Sequence, residues 1–356
     1  MKRTTKYAGL DVHQATTVIV VREESARVIA RAILPTTAMA LTEFFRGIRG
    51  SLHVTFEEGT QAQWLYELLG PLVERVVVCN RRETRRQGNK SDWHDAEDLA
   101  ELLRRDAVRP VYHDRAPQGA ELKELGRTYI NLVEDGTRVM ARLKALFRAR
   151  AIPTRGPGVY SPGQRATWLA QLPGGAVRFR AEALYAELEV VQQLRGKAKV
   201  ALITAARRHP AWPVLRAIPF LGPVRVALLL AFLQTPWRFR TKRNLWAYAG
   251  LAVTTRSTAE YQLLEGRTPV RRRRTPLTRG LNRNHHPLVK AIFKSAATAA
   301  TAKPGAFQDF YQQLVAHGMR EELARVTLTR KLAALTLRLW KTGEAYDPAK
   351  LTRQAC

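Results

Sequence analysis

The chain has 356 residues, 46% of them hydrophobic, and carries 59 Lys and Arg against 30 Asp and Glu, a formal net charge of +29. That length and apolar content suffice for two or three domains with their own cores, and the basic excess argues against a small-molecule enzyme and for a polyanion partner, DNA, RNA or both. Its two cysteines, Cys79 and Cys356, exclude a disulfide framework and a cysteine-based zinc site, which suits a reducing cytoplasm, and no apolar run is long enough for a signal peptide or a membrane span, so no membrane partner is expected.

Residues 6 to 35 read as hairpin-like strands, with Val18-Ile19-Val20-Val21 and Val28-Ile29-Ala30 separated by a charged turn. A helix over Thr37 to Gly47, a strand over Leu52 to Phe56, a short helix over Gln63 to Leu69 and a strand over Arg75 to Cys79 follow. Asp92 to Arg105 then has helical spacing through Ala96, Leu99, Ala100, Leu102 and Leu103. This order predicts an α/β domain over residues 1–112, a sheet with helices packed on it.

The pattern changes after about residue 112. Ala120 to Ala151 and Ala181 to Arg208 read as long helices, with one stripe through Leu122, Leu125, Tyr129, Leu132 and Val133 and another through Leu184, Leu188, Val191 and Leu194. They are expected to pair as an antiparallel coiled coil or to serve as an oligomer arm, joined by a Pro- and Gly-rich loop, over 113–210. A third region, 211–356, opens on Ile218-Pro219-Phe220-Leu221-Gly222-Pro223 and the apolar helix Val224 to Leu233, a pairing that resembles a helix-hairpin-helix element. From Pro287 to about Trp340 the chain reads helical.

Chemistry concentrates near the N-terminus. Asp11 follows a short apolar start in Gly9-Leu10-Asp11-Val12-His13, Glu57 ends the strand Val54-Thr55-Phe56, and Asp92 and Asp95 sit three apart at a helix start. Residues at that spacing share a helix face. Four carboxylates at one point repel unless a cation joins them, and an all-oxygen set suits a hard divalent ion, Mg²⁺ above all. Glu57 and Glu58 alternate to opposite faces of a strand, so only one faces the site. An isolated Asp after a strand is usually a turn residue or cap; Asp11 draws its weight from the other two segments. His13 and His94 are candidate ligands or general acids, with surface or hydrogen-bonded histidines the plainer reading, and Glu97 and Asp98 read as solvated helix residues.

The basic side chains Arg238, Arg240, Lys242, Arg243, Arg271, Arg272, Arg273, Arg274, Arg279 and Arg283 are the candidate nucleic-acid contacts, with the four consecutive arginines in a charged loop. Trp237, Phe239, Trp246 and Tyr248 lie among them, as base-stacking platforms or as core. Ser257, in Thr254-Thr255-Arg256-Ser257-Thr258-Ala259, would read as an ordinary loop residue, since an unactivated hydroxyl is a poor nucleophile.

These motifs resemble those of the bridge-RNA-guided DEDD/serine transposases of bacterial insertion sequences, related to Piv-type DNA invertases. The likeness runs through Gly9-Leu10-Asp11-Val12-His13, Phe56-Glu57, Lys90-Ser91-Asp92-Trp93-His94-Asp95-Ala96, Ile218 to Pro223, Tyr248-Ala249-Gly250-Leu251, Arg256-Ser257-Thr258-Ala259 and Thr278 to Asn284, in that order. It implies a RuvC-like, RNase H-fold N-terminal domain in which Asp11, Glu57, Asp92 and Asp95 bind Mg²⁺. It also implies a helical coiled-coil insertion and a mostly helical C-terminal transposase domain whose serine attacks DNA. The implied partners are double-stranded donor and target DNA, a non-coding guide RNA, and further copies of the chain as a dimer or tetramer. Two departures stand out: the serine motif is Ser257-Thr258-Ala259, leaving Ser257 and Thr258 both open with the primary hydroxyl preferred, and Phe220 replaces a turn glycine.

The expected function is therefore a DNA recombinase with a serine nucleophile. A RuvC-like nuclease of the junction-resolvase type, with water attacking, uses the same carboxylates. A sugar-kinase or actin-like ATPase also starts with a strand-end Asp, but Gly/Thr-rich phosphate loops are not found. A non-catalytic nucleic-acid-binding protein leaves the carboxylates without a purpose.

Overall fold

A five-stranded sheet with helices on both faces forms the first unit of the computed structural model, which describes residues 4–80, 91–113, 117–256, 261–262, 270–271 and 277–352. The chain divides into two compact units, Met1–Pro117 and Gln118–Cys356.

In the first unit, β1 (Thr5–Val12), β2 (Thr16–Glu23) and β3 (Val28–Pro35) form an antiparallel meander. The chain then crosses through α1 (Ala38–Gly47) to β4 (Ser51–Glu57), parallel to β1, and through α2 (Ala62–Leu69) to β5 (Arg75–Cys79), parallel to β4. The strand order is β3-β2-β1-β4-β5, consistent with an RNase H-like domain. Alternation sorts the side chains. Ala8, Leu10, Ile19, Val54, Phe56, Val76 and Val78 pack with Leu41 and Phe45 of α1 and Leu65 and Leu69 of α2 on one face.

On the opposite face α3 (Asp92–Arg104) packs Ala96 against Val18 and Val20. Ala96, Leu99, Ala100 and Leu103 form its buried stripe, the i, i+3, i+4, i+7 pattern of an amphipathic helix. Glu97 is partly buried and paired rather than free: it accepts from Arg22 of β2 at 2.6 Å and from Arg31 of β3 at 3.4 Å, tying the helix across the sheet.

The second unit opens with α4 (Pro117–Arg148), followed by α5 (Arg165–Ala170) and α6 (Ala176–Arg207). Val139, Leu143 and Phe147 pack on Ala181, Leu184, Tyr185 and Leu188, and Leu122 shares a core with Leu202 and Ala206, so α4 and α6 run antiparallel. Arg142–Glu187 and Arg208–Glu121 bridge them at 2.7 and 3.0 Å. Leu194, expected on the buried stripe, is 44% exposed.

The short α7 (Trp212–Arg216) turns into α8 (Pro223–Leu233), which apart from Arg225 is apolar and is largely buried in the core of the helical half. Around it lie α9 (Lys242–Tyr248), α10 (Pro287–Thr301), α11 (Ala306–Ala316) and α12 (Glu321–Thr342). Two small antiparallel pairs interrupt the helices. β6 (Val253–Arg256) pairs with β9 (Leu277–Leu281), and β7 (Tyr261–Gln262) with β8 (Val270–Arg271). The expected loop placement of Arg271 is thus corrected: Arg271 lies in β8, paired with Tyr261 of β7, and Arg279 lies in β9, whose partner β6 carries the β-branched Val253, Thr254 and Thr255 that favour extended pairing.

Candidate active site

Three elements of the first unit carry the motif carboxylates to one end of the sheet. β1 and β4 are parallel with Leu10 opposite Phe56, so the next residues, Asp11 and Glu57, lie side by side near the ends of neighbouring strands. Leu10 and Phe56 belong to the core under α1 and α2. Alternation therefore puts Asp11 and Glu57 on the other face, which α3 covers. Asp92 and Asp95 occupy the first turn of α3, where the positive end of the helix dipole eases the crowding of negative charge.

Gly9 makes this approach possible. A Cβ at Gly9 would collide with the Ala96 carbonyl oxygen and the Ala100 nitrogen, and would lie 2.9 Å from Leu99 Cβ. Only a residue without a side chain lets the backbone of α3 rest on β1 two residues before Asp11.

The closest donor group is not the four-carboxylate set. Asp11, His13 and Asp92 each offer one ligand atom, and these atoms lie within 4.8 Å of one another. His13 Nε2 stands 3.0 Å from Asp11 Oδ2 and 3.7 Å from Asp92 Oδ2. Burial pushes the Asp11 carboxyl above the usual carboxylate range; His13 draws it back through charge and a hydrogen bond, while the charges of Asp92 and Asp95 push it further up. Asp95 is thus near enough to act on Asp11 electrostatically. Glu57 is not in the group of Asp11, His13 and Asp92; it lines an adjoining cleft with Val12, His13, Gln14 and, from α2, Ala62 and Leu65. From sequence His13 is a ligand or general-acid candidate with a hydrogen-bonded histidine the plainer reading; it does hydrogen-bond, and its partner is the motif aspartate. The spacing Asp11-x-His13 at a strand end was the available signal, since i and i+2 share a face.

The donor set fits a divalent cation. It combines acidic oxygens with one imidazole and is open to solvent at Asp92 and His13.

In the second unit Ser257 and Thr258, like Arg272, Arg273 and Arg274, lie outside the described residues, as does Lys90 in the first. Arg240, Lys242, Arg243 and Arg283 are exposed. Arg238 differs from them. Its Nη1 donates to the Phe232 and Leu233 carbonyls at 3.1 and 3.2 Å, capping the C-terminus of α8, and its guanidinium lies 5.1 Å from the Tyr248 ring centroid. Phe239 is buried and Trp246 and Tyr248 pack on the core, whereas Trp237 is 71% exposed with Lys341 Nζ 5.4 Å from its ring. At the turn between α7 and α8, Phe220 adopts a left-handed φ of 67°. Arg216 and Arg225 donate to the Leu221 and Phe220 carbonyls there. Among the described residues no helix is long and apolar enough to cross a membrane.

Residues 8–150 match the transposase family of DEDD type named for the insertion element IS110. Residues 213–312 match the transposase family IS116/IS110/IS902. Over 177 residues the chain is 28% identical to the "Insertion element IS110 uncharacterized 43.6 kDa protein" of Streptomyces coelicolor, a stretch that spans 49% of this chain and 40% of that protein. With both matches in one chain, the protein belongs to the IS110 family of transposases.

Proposed function

We propose that the protein is the transposase of a bacterial insertion sequence and that it cuts and rejoins double-stranded DNA under the guidance of a non-coding RNA. The observation that carries the reading is the meeting of Asp11 from β1 with Asp92 from α3 at the sheet end, in a chain of this family. In this reading the first unit is RuvC-like. Asp11, Glu57, Asp92 and Asp95 would hold Mg²⁺, which when bound offsets charge that develops on a scissile phosphate.

Ser257 supplies the nucleophile in the proposed reaction, with Thr258 the alternative. Its Oγ bonds to phosphorus as the bond from phosphorus to one sugar oxygen breaks; the hydroxyl proton is lost, and the departing sugar oxygen gains one. A sugar hydroxyl of the new partner strand then reverses the exchange. The phosphodiester energy is kept in the protein–DNA link, so no high-energy cofactor is consumed. Exposed Arg240, Lys242, Arg243 and Arg283, together with Arg271 to Arg274 and Arg279, supply charge for nucleic-acid backbones. Several copies of the chain would assemble on donor and target DNA.

The test uses protein purified with its co-expressed RNA, incubated with DNA of its element's junction and Mg²⁺, and run on denaturing gels. A covalent protein–DNA band that is lost in both Ser257→Ala and Asp11→Asn is the expected result. Cleavage without an adduct, lost only in Asp11→Asn, would replace the serine mechanism with nuclease chemistry in which water attacks.

A further inference from the structure

The end of β1 carries a nitrogen donor that the carboxylate motif does not include. His13 Nε2 is 3.0 Å from Asp11 Oδ2 and 3.7 Å from Asp92 Oδ2. Ligands held at about 2.1 Å around an octahedral ion stand about 3.0 Å apart when adjacent and about 4.2 Å apart when opposite. The first observed spacing equals that of adjacent corners, the second falls between the two values, and all three ligand atoms lie within 4.8 Å of one another, close enough to share one ion.

The backbone fixes where this imidazole sits. The His13 N–H donates to the Thr16 carbonyl at 2.9 Å, closing the turn from β1 to β2. The His13 carbonyl accepts from Thr36 Oγ1, also at 2.9 Å. Both main-chain groups are therefore tied, and the ring is presented from a pinned turn rather than from a free loop. The His13 side chain is 51% exposed and that of Asp92 63% exposed, so an ion and its remaining waters have access between them.

We infer that His13 is a nitrogen ligand of the metal at this site, so that the centre takes a mixed nitrogen and oxygen donor set and favours transition-metal dications such as Mn²⁺ over Mg²⁺. The inference rests on the reading of this cluster as a divalent-metal centre. Imidazole adds affinity for first-row transition ions, whereas Mg²⁺ prefers oxygen and its own waters. The competing arrangement is an imidazole that only hydrogen-bonds to Asp11 and orients it from outside the coordination sphere.

Mn²⁺ is the probe, added to the full chain and followed by electron paramagnetic resonance. Wild type prepared with ¹⁵N-histidine is compared with unlabelled wild type, and His13→Gln and Asp11→Asn are titrated alongside. The expected result is nitrogen modulation that changes with the isotope in wild type, disappears in His13→Gln, and accompanies an about tenfold loss of Mn²⁺ affinity. Competition should show a smaller loss for Mg²⁺ in the same variant. Mn²⁺ bound to wild type without histidine nitrogen coupling, or coupling that persists in His13→Gln, would overturn the role of His13 and leave the metal centre standing. Wild type that binds no more Mn²⁺ than Asp11→Asn would overturn the centre itself. The wild-type isotope comparison depends on no variant's folding.

Discussion

Gly9 of β1 lies directly against the Ala96 carbonyl of α3, with no room for a Cβ between them. This contact sets the distance between the strand that carries Asp11 and the helix that starts at Asp92. Gly9→Ala should push α3 outward. The substitution is expected to destabilise the first unit by about 1–3 kcal/mol, the usual range for overpacking, and to weaken divalent-metal binding by more than the stability loss explains. Urea unfolding and Mn²⁺ titration of the same variant check both. Unchanged metal affinity in a destabilised Gly9→Ala would show that the site tolerates a shift of the helix.

The elements of the first unit are legible in the sequence because each short apolar run is bounded by charged or turn residues, and Ala96, Leu99, Ala100 and Leu103 repeat at helical spacing. Other features resist that reading for physical reasons. His13 sits in a polar turn, and only the fold shows that its ring meets Asp11 and Asp92. The strands β6 to β9 are short and rich in Arg and Thr, so their pairing depends on neighbours distant in sequence. Charge alone gives Arg238 and Arg243 the same value, although Arg238 is turned onto the end of α8. The Ser257 segment lies outside the described residues, and its role stays a proposal.

Glu101 gives a pH prediction. Hydrogen bonds from Arg104 at 2.8 and 2.9 Å and from Arg105 at 2.6 Å hold its carboxyl down at about 2, against an ordinary value of 4.5. Arg104 also donates to the Glu24 carbonyl, which links the end of α3 to the turn after β2. A carboxylate lowered on folding stabilises the native state above its unfolded value, and that contribution is lost as pH falls from about 4.5 toward 2. These pairs are near the surface, so the contribution is about 0.5–1 kcal/mol. Unfolding free energy measured across that range should fall less steeply in Glu101→Gln than in wild type. Identical slopes would mean that the arginines bind Glu101 equally well in the unfolded chain.

Phe220 trades backbone strain for packing. Its φ of 67° is the left-handed region that a β-carbon disfavours, while its ring meets Phe307 edge-on at 6.0 Å between centroids. Phe220→Ala keeps the strain and loses the ring, and should cost about 2–3 kcal/mol. Phe220→Gly loses the ring and the strain together, and should be the more stable variant by about 1 kcal/mol. Chemical denaturation of the pair isolates the backbone contribution. Equal stabilities would show that the turn relaxes away from the left-handed conformation once the ring is gone.

Arg238 and Arg243 are close in sequence and should fail in different ways. Arg243 is exposed, and Arg243→Ala should leave stability within about 0.5 kcal/mol of wild type. If it contacts one phosphate, its loss reduces the salt dependence of DNA affinity by about 0.9 in log–log slope. Arg238 holds the Phe232 and Leu233 carbonyls at the end of α8, a helix buried in the core of the second unit. Arg238→Ala leaves those acceptors without their charged donor, at a cost of about 1–3 kcal/mol, and should leave the salt slope of binding unchanged. Fluorescence anisotropy across a salt series, run beside urea melts, separates the two effects. A reduced slope in Arg238→Ala at wild-type stability would place its guanidinium on DNA and make the α8 cap incidental.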